Sequence, residues 1–281
     1  MKTLCMIPVW GRHDVLKITF KGLENFAGPL WWVDESFYVL LIVSNREDFT
    51  FCSNWAKTSH KHNLKVFIHQ APNQPLGKKL NSGLREAIRI MKSYDIDYLM
   101  TSGSDNLISR KVWDYYIHAE NDEHPFFGFT NVAIYHKATG EAVEVNYPCA
   151  SGVGRMHNIW MLKDACNCHV AIAKRSLAGR FGNHGKGERV YIPKNHQPDP
   201  DNYEIIGEDW HLWPDDTYNS TDIDSENWLM MSGYACKYIR TPEPLILDIK
   251  TDDNISNWED FKNNKQNRRL TDLGAWAEIN Q

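Results

Sequence analysis

The chain has 281 residues, 42% of them hydrophobic and 24% charged, enough for one large domain or two modest ones with a real core. That mixture excludes a disordered tail protein, a collagen-like repeat and a coiled coil, and no apolar run of about 18 residues announces a membrane span. Lys+Arg total 31 against 36 Asp+Glu, and the net charge of −5 points, taken alone, away from nucleic acid.

In chain order, Leu4–Val9 reads as a short buried strand and His13–Phe26 as a helix, with Val15, Ile18, Leu23 and Phe26 on one face. Phe37–Val43 is a continuous β-branched and aromatic run, the pattern of a strand buried on both faces. Phe51–His62 is expected to be a helix, Leu64–His69 a strand, and Leu80–Met91 a helix with an apolar stripe. Asp97–Thr101 is a fourth strand. This alternation argues for right-handed βαβ units and a doubly wound parallel sheet, whose ligands bind beyond the carboxyl ends of the strands. Trp10-Gly11-Arg12, Ser44-Asn45-Arg46 and Ser104-Asp105-Asn106 stand just past three such ends.

The second half reads differently. Phe126–Tyr135 and Glu141–Tyr147 are expected to form a hairpin, Ser151–Arg155 a flexible loop, and Gly179–Pro214 long loops. Ser225–Gly233 is predicted helical, Lys237–Thr241 and Leu245–Ile249 are short strands, and the tail after Asp252 is polar.

Charge is distributed unevenly. Residues 151–195 carry eight Lys/Arg and two acids, a net of +6, whereas 196–230 carry ten acids and no Lys or Arg, a net of −10. Two loops of opposite sign that pair with each other would give this pattern, as would a basic ligand surface beside a carboxylate-rich catalytic segment.

Among short motifs, Asp105 at the end of a buried strand is placed to hold a hard divalent cation between phosphates, or to cap the next helix. Gly77-Lys78-Lys79-Leu80-Asn81 opens a helix where backbone N–H groups and lysines can meet a nucleotide. It lacks the spacing of a Walker A loop. Cys166-Asn167-Cys168-His169 does not have zinc-ligand spacing. Neither a Gly-x-Ser-x-Gly elbow nor a Gly-x-Gly-x-x-Gly turn follows the first strand, which excludes the corresponding hydrolase and dehydrogenase readings. Six scattered cysteines suit reduced thiols and a cytoplasmic location.

Taken in order, Pro8-Val9-Trp10-Gly11-Arg12, Val43-Ser44-Asn45, Pro75–Leu84 and Tyr98–Ile108 resemble the nucleotide-sugar-binding half of family 2-like glycosyltransferases. Gly152-Val153-Gly154-Arg155, the acidic Thr221–Glu226, and Leu247-Asp248-Ile249-Lys250 followed by Asn254-Ile255 and Trp258 resemble later elements of phage and bacterial members. The resemblance implies an α/β fold of the GT-A (Rossmann-like) type, a mainly parallel sheet flanked by helices, with an added acceptor-binding region of hairpin and long loops. It implies a nucleotide-sugar-binding half at 1–120, an acceptor-binding and catalytic half at 121–250, and a polar tail at 251–281.

It further implies a nucleotide-sugar donor, UDP-linked first, bound by Pro8, Val9, Trp10, Gly11, Arg12, Ser44, Asn45, Gly77, Lys78, Lys79, Asn81, Ser104, Asp105, Asn106, Gly154 and Arg155. Asp105 would hold Mn²⁺ or Mg²⁺. Because Ser104 and Asn106 flank a single carboxylate, His157 and His211 are candidates to complete the metal site. Asp222 or Asp224 would be the general base of an inverting transfer. The acceptor expected first is a hydroxymethylated pyrimidine in DNA, with Lys174, Arg175, Arg180, Lys186 and Arg189 as candidate contacts, and a glycan or lipid-linked sugar is the alternative. A non-catalytic nucleotide-sugar-binding protein is the remaining alternative.

Overall fold

The computed structural model describes residues 1–27, 37–60, 64–73, 75–179, 182–215, 221–252, 258–271 and 276, without the side chains of 179, 182, 183, 221 and 222. Strand β1 (Thr3–Pro8) leads to helix α1 (His13–Ala27), β2 (Phe37–Val43) to α2 (Arg46–Ser59), and β3 (Lys65–Gln70) to α3 (Leu76–Tyr94) before β4 (Tyr98–Thr101). These four strands pair in parallel in the order β3-β2-β1-β4. Every residue of β2 except Tyr38 is buried, as its unbroken apolar run requires. Helix α3 buries Leu80, Leu84, Ala87, Ile88 and Met91. It approaches β2 so closely that a Cβ at Gly83 would lie 2.0 Å from the Ile42 side chain.

The expected helix at Phe51–His62 instead begins at Arg46, one turn earlier. Asn45 caps it, accepting a hydrogen bond from the Asp48 N–H at 2.8 Å.

The chain continues through β5 (Asn106–Ile108), α4 (Val112–Asn121), β6 (Phe126–Phe129), β7 (Asn131–His136), β8 (Glu141–Asn146), β9 (Arg155–Asn158) and α5 (Ile159–Ala165). Strands β10 (Asn167–Ala173), β11 (Leu177–Gly179), β12 (Gly182–His184), β13 (Arg189–Pro193) and β14 (Tyr203–Trp210) follow, then α6 (Thr221–Met231), β15 (Lys237–Ile239), β16 (Ile246–Lys250), α7 (Trp258–Lys262) and β17 (Arg268–Leu270). The main sheet has seven strands in the order β15-β6-β9-β4-β1-β2-β3, with β9 antiparallel to both its neighbours. A second sheet, β17-β8-β7-β16-β5, contains the expected hairpin of β7 and β8.

Three expectations need correction. Phe126–Tyr135 is two strands: β6 joins the main sheet and β7 the second, with the break at Thr130, whose N–H donates to the Ile239 carbonyl at 2.9 Å. Both strands are buried throughout, so their apolar sequence runs on across the break. Gly179–Pro214 is not only loops. It holds β12, which pairs with β11, and β13 and the eight-residue β14, which flank β10 in a small sheet; β14 is largely exposed and lacks a continuous apolar run. The polar tail also carries structure, since β17 pairs with β8 and Arg268 meets the buried Glu144 at 2.6 Å. All six cysteines are free. Among the described residues, no helix is long and apolar enough to cross a membrane.

Candidate active site

The carboxyl ends of β1 and β4 open into a cavity of about 240 Å³. Sheet register brings distant sequence segments to its wall. Antiparallel pairing of Thr101 with Arg155 lays Gly152 and Val153 beside the end of β4. Pairing of Asn106 with Asp248 brings β16 against Ser104-Asp105-Asn106, where the Ile249 N–H donates to the Asp105 carbonyl at 2.8 Å. From the first strand end comes Arg12. Gly11 and Arg12 are both left-handed (φ +51° and +44°), a sharp turn that aims the guanidinium across the sheet. Arg12 Nη2 donates to Asp105 Oδ2 at 2.9 Å.

Beside this pair, Lys250 Nζ stands 2.7 Å from Asp248 Oδ2, and both residues line the cavity. Burial, together with the nearby Asp105 charge, raises the Asp248 carboxyl above its ordinary range even though Lys250 opposes the shift. Burial works against the charge of Lys250 too, but Asp248 and then Asp105 outweigh it and hold the ammonium above its ordinary value. Two buried atoms of this cluster, Asp248 Oδ1 and Arg12 Nη1, have no hydrogen-bond partner.

These features fit a divalent cation, the cofactor that the glycosyltransferase resemblance implies. Asp105 and Asp248 offer hard oxygen donors, one of them an orphaned buried carboxylate oxygen. Among the described residues, no group of three or more His, Cys, Asp or Glu is placed to hold a metal. Phosphate oxygens of a ligand would therefore have to complete the shell.

The turn that presents Arg12 is held by Asp48, which sequence reasoning did not single out. Its buried carboxylate accepts from the Gly11 N–H at 3.2 Å and from Asn45 Nδ2 at 2.9 Å, and lies 2.9 Å from His13 Nε2. The Asn45-x-x-Asp48 spacing of a helix start was its only signal. Asp248 and Lys250 belong to the Leu247–Lys250 motif noted in the sequence, which assigned them no role in the site.

Pro8 lines the cavity wall, Trp10 is 48% exposed, and Asn45 and Lys78 are open to solvent. Ser104 and Asn106 are buried and brace the loop: the Ser104 carbonyl accepts from Thr19 Oγ1 at 3.0 Å, and Asn106 Oδ1 from the Gly103 N–H at 2.6 Å. Several other predicted residues are turned into the fold. Lys79 is buried, donating to the Val9 carbonyl at 2.6 Å and to Asn73 Oδ1 at 3.0 Å, and burial pulls its pKa down to about 8. Ser44 donates to the same Asn73 oxygen at 3.3 Å, so these groups tie the ends of β1, β2 and β3 together. Asn81 fastens the segment after β14, accepting from the Leu212 and Trp213 N–H groups and donating to the Trp213 carbonyl. Arg155 lines the cavity but is 1% exposed. It donates to Ser225 Oγ at 2.8 Å and to the Ala150 carbonyl, and lies 3.6 Å from Glu226 Oε2.

The two histidines lie away from Asp105. His157 is buried against Phe126, its ring centroid 5.0 Å away. Burial and then the Arg155 charge hold its pKa down to about 3. His211 stacks on Tyr191 at 3.9 Å and lines a second cavity, of about 550 Å³, with its pKa held near 4 by burial. Asp224 lines that same cavity, with Asp215 and Arg189, while its neighbour Ser225 lines the first. The start of α6 thus faces both. The side chain of Asp222, and Arg180 altogether, lie outside the described residues.

Lys174, Arg175, Lys186 and Arg189 do come together at one tip of the three-stranded sheet, where Ile172 pairs with Arg189 and the Gly187 N–H bonds to the Ala173 carbonyl. Acids share that tip. Lys174 and Arg175 reach the Pro200 carbonyl and Asn202 Oδ1, in the turn that holds Asp199 and Asp201. At the other end of the sheet, Lys194 pairs with Glu208.

No protein-family profile matches the chain, and no curated protein matches it. Solved structures do. The chain superposes on S. aureus TarS with a TM-score of 0.50 at 10% identity, over 89% of this chain and 37% of that one. TarS 1–349 gives 0.49 at 12%, over 89% and 60%. The mannosyltransferase PcManGT from Pyrobaculum calidifontis, in complex with GDP-Man and Mn²⁺, gives 0.42 at 11%, over 88% and 56%. This chain spans less than two thirds of the length of each. At such identity the likeness establishes the fold: a GT-A-like, Rossmann-like nucleotide-binding architecture with a mainly parallel sheet flanked by helices.

Proposed function

We propose that this chain is a nucleotide-sugar-dependent glycosyltransferase. The observation that carries the reading is the convergence of Asp105, Asp248 and Lys250 on one cavity at the carboxyl ends of the parallel strands, with Arg12 bonded to Asp105. That is the crevice in which doubly wound sheets bind nucleotides. Two carboxylates and two cations there suit a diphosphate and a divalent metal, and UDP-sugars are the first donors to try. Mn²⁺ or Mg²⁺, when bound, would neutralise the leaving diphosphate.

The chain's own residues do the rest. Pro8, Trp10, Ser44 and Asn45 lie where strand ends meet a nucleoside, and Asp48 and Lys79 hold those ends in place. A carboxylate at the start of α6, Asp222 or Asp224, takes the proton of the acceptor hydroxyl. The acceptor oxygen bonds to the sugar carbon as the bond to phosphate breaks, which inverts that carbon. Asp224 faces the adjoining cavity, which is the acceptor's place in this reading.

The interleaving of acids with Lys174, Arg175, Lys186 and Arg189 favours an uncharged glycan over DNA, whose phosphates demand a surface of one sign. The test is incubation with UDP- and GDP-sugars and Mn²⁺, with oligosaccharides or hydroxymethylcytosine DNA as acceptors, read by mass spectrometry. Transfer that is lost in Asp105→Ala, and in Asp222→Asn or Asp224→Asn, supports the reading. Transfer to the DNA alone would reverse the choice of acceptor, and nucleotide-sugar binding without turnover on any acceptor would leave a binding protein.

A further inference from the structure

The charges of the cavity cluster sum to zero, with Asp105 and Asp248 set against Arg12 and Lys250. The pairs are close, at 2.9 Å and 2.7 Å, and all four residues act on one another electrostatically. Yet the cluster is not saturated. Asp248 Oδ1 is a buried acceptor without a donor, and Arg12 Nη1 a buried donor without an acceptor. Buried groups of this kind are ordinarily satisfied. One orphan has the chemistry to take a cation and the other to take an anion, and both belong to the same neutral cluster.

We propose that this cluster is an ion-exchange site, in which a divalent cation takes the two carboxylates and thereby hands Arg12 and Lys250 to the diphosphate of the donor. The proposal rests on the glycosyltransferase reading and adds a binding order to it. Before exchange, each carboxylate is neutralised by its own side-chain cation. After exchange, two carboxylates face a double positive charge, and two side-chain cations face the double negative charge of a nucleotide-sugar diphosphate. Both states are neutral. A divalent cation alone strands two positive side chains in a confined cavity, and a diphosphate alone brings two uncompensated negative charges. Metal and nucleotide therefore favour each other, and by linkage the effect is reciprocal. Arg12 and Lys250 compete with the metal in the free protein and assist it in the ternary complex.

Titration calorimetry with Mn²⁺, UDP and GDP, singly and together, tests this. In the wild-type protein, UDP or GDP should tighten Mn²⁺ binding by about tenfold or more beyond the contribution of the metal–nucleotide complex in solution. The decisive arm is Mn²⁺ alone with Lys250→Met and Arg12→Gln, checked for native folding by circular dichroism. Removing a competing cation should make Mn²⁺ bind more tightly than to the wild type while the nucleotide-induced gain shrinks. A lysine that merely supported the fold, or waited for phosphate, would leave Mn²⁺ binding unchanged or weaker. Arg12 is partly exposed, so its variant provides an arm independent of the buried Lys250. If UDP and GDP bind with Mn²⁺ but neither variant gains Mn²⁺ affinity, the exchange is overturned and the glycosyltransferase reading stands. If neither nucleotide binds under any condition, both fall.

Discussion

Arg12 and Asp105 stand 93 residues apart in sequence, yet they are joined at 2.9 Å across the carboxyl end of the sheet. Their contact requires β1 and β4 to be neighbours, and it requires two successive left-handed residues at Gly11-Arg12. The strain of that turn is held by Asp48. Replacing Asp48 with Ala removes the acceptor of the Gly11 N–H and Asn45 Nδ2, and should cost about 1–3 kcal/mol in urea unfolding. Nucleotide affinity should fall with it, since Arg12 loses its aim. Unchanged stability and affinity would show that the turn stands without Asp48.

Arg155 is expected to matter for the fold more than for direct contact with a ligand. It is buried beside Glu226 and ties the loop at Ala150 to the start of α6. Arg155→Met leaves Glu226 as a buried charge and should cost about 3–5 kcal/mol, while Arg155→Met combined with Glu226→Leu should cost less than the single change. A double-mutant cycle in guanidinium chloride checks this. Additive losses would contradict the pairing.

Gly154 sits at φ +68°, where an added Cβ would be 2.7 Å from Tyr116 Oη, itself a donor to the Gly154 carbonyl at 2.6 Å. Gly154→Ala should therefore destabilise by about 1–3 kcal/mol, from the backbone and the crowding together. Tyr116→Phe in the same background should recover part of the loss, and thermal unfolding of the wild type and the two variants decides it.

Two buried histidines set the acid behaviour. His157 and His211 stay neutral in the fold down to about pH 3 and about pH 4, whereas in the unfolded chain they protonate near 6.5. Below 6.5 the unfolded state binds more protons, so stability is full above that pH and is lost as the pH falls toward 4 and 3. Each histidine contributes a slope of about 1.4 kcal/mol per pH unit inside its window. Urea midpoints between pH 6.5 and 5 measure it, with the raised carboxyl of Asp248 acting in the opposite sense there, and His157→Phe should lower the slope by about 1.4 kcal/mol per pH unit. An identical slope in that variant would contradict the assignment.

Much of the first half of the chain was legible because its strands are buried on both faces and its helices carry a regular stripe. Phe37–Val43 as a strand agrees with the structure residue for residue. The strand ends then marked Arg12 and Asp105. What stayed hidden depends on pairing between distant segments. Nothing local tells that Arg155 would be antiparallel to Thr101, or that Asp248 would lie opposite Asn106. Polar character misled in both directions. β14 is a strand whose outer face meets water, while Lys79, Asn81 and Arg155 are polar residues that make their hydrogen bonds inside the fold. The two charge blocks that offset each other in the net −5 meet in the sheet of β10, β13 and β14, where Lys194 faces Glu208.

In the proposed glycosyltransferase reading, Asp105 anchors a nucleotide-sugar in the cavity at the carboxyl ends of the strands. Equilibrium binding of UDP- and GDP-sugars in the presence of Mn²⁺, compared between wild type and Asp105→Ala, tests it most directly. One donor should bind the wild type, and the variant should lose about 2–4 kcal/mol of affinity, the scale of a buried charged contact. Binding of equal strength to both proteins, or of no donor to either, would contradict it.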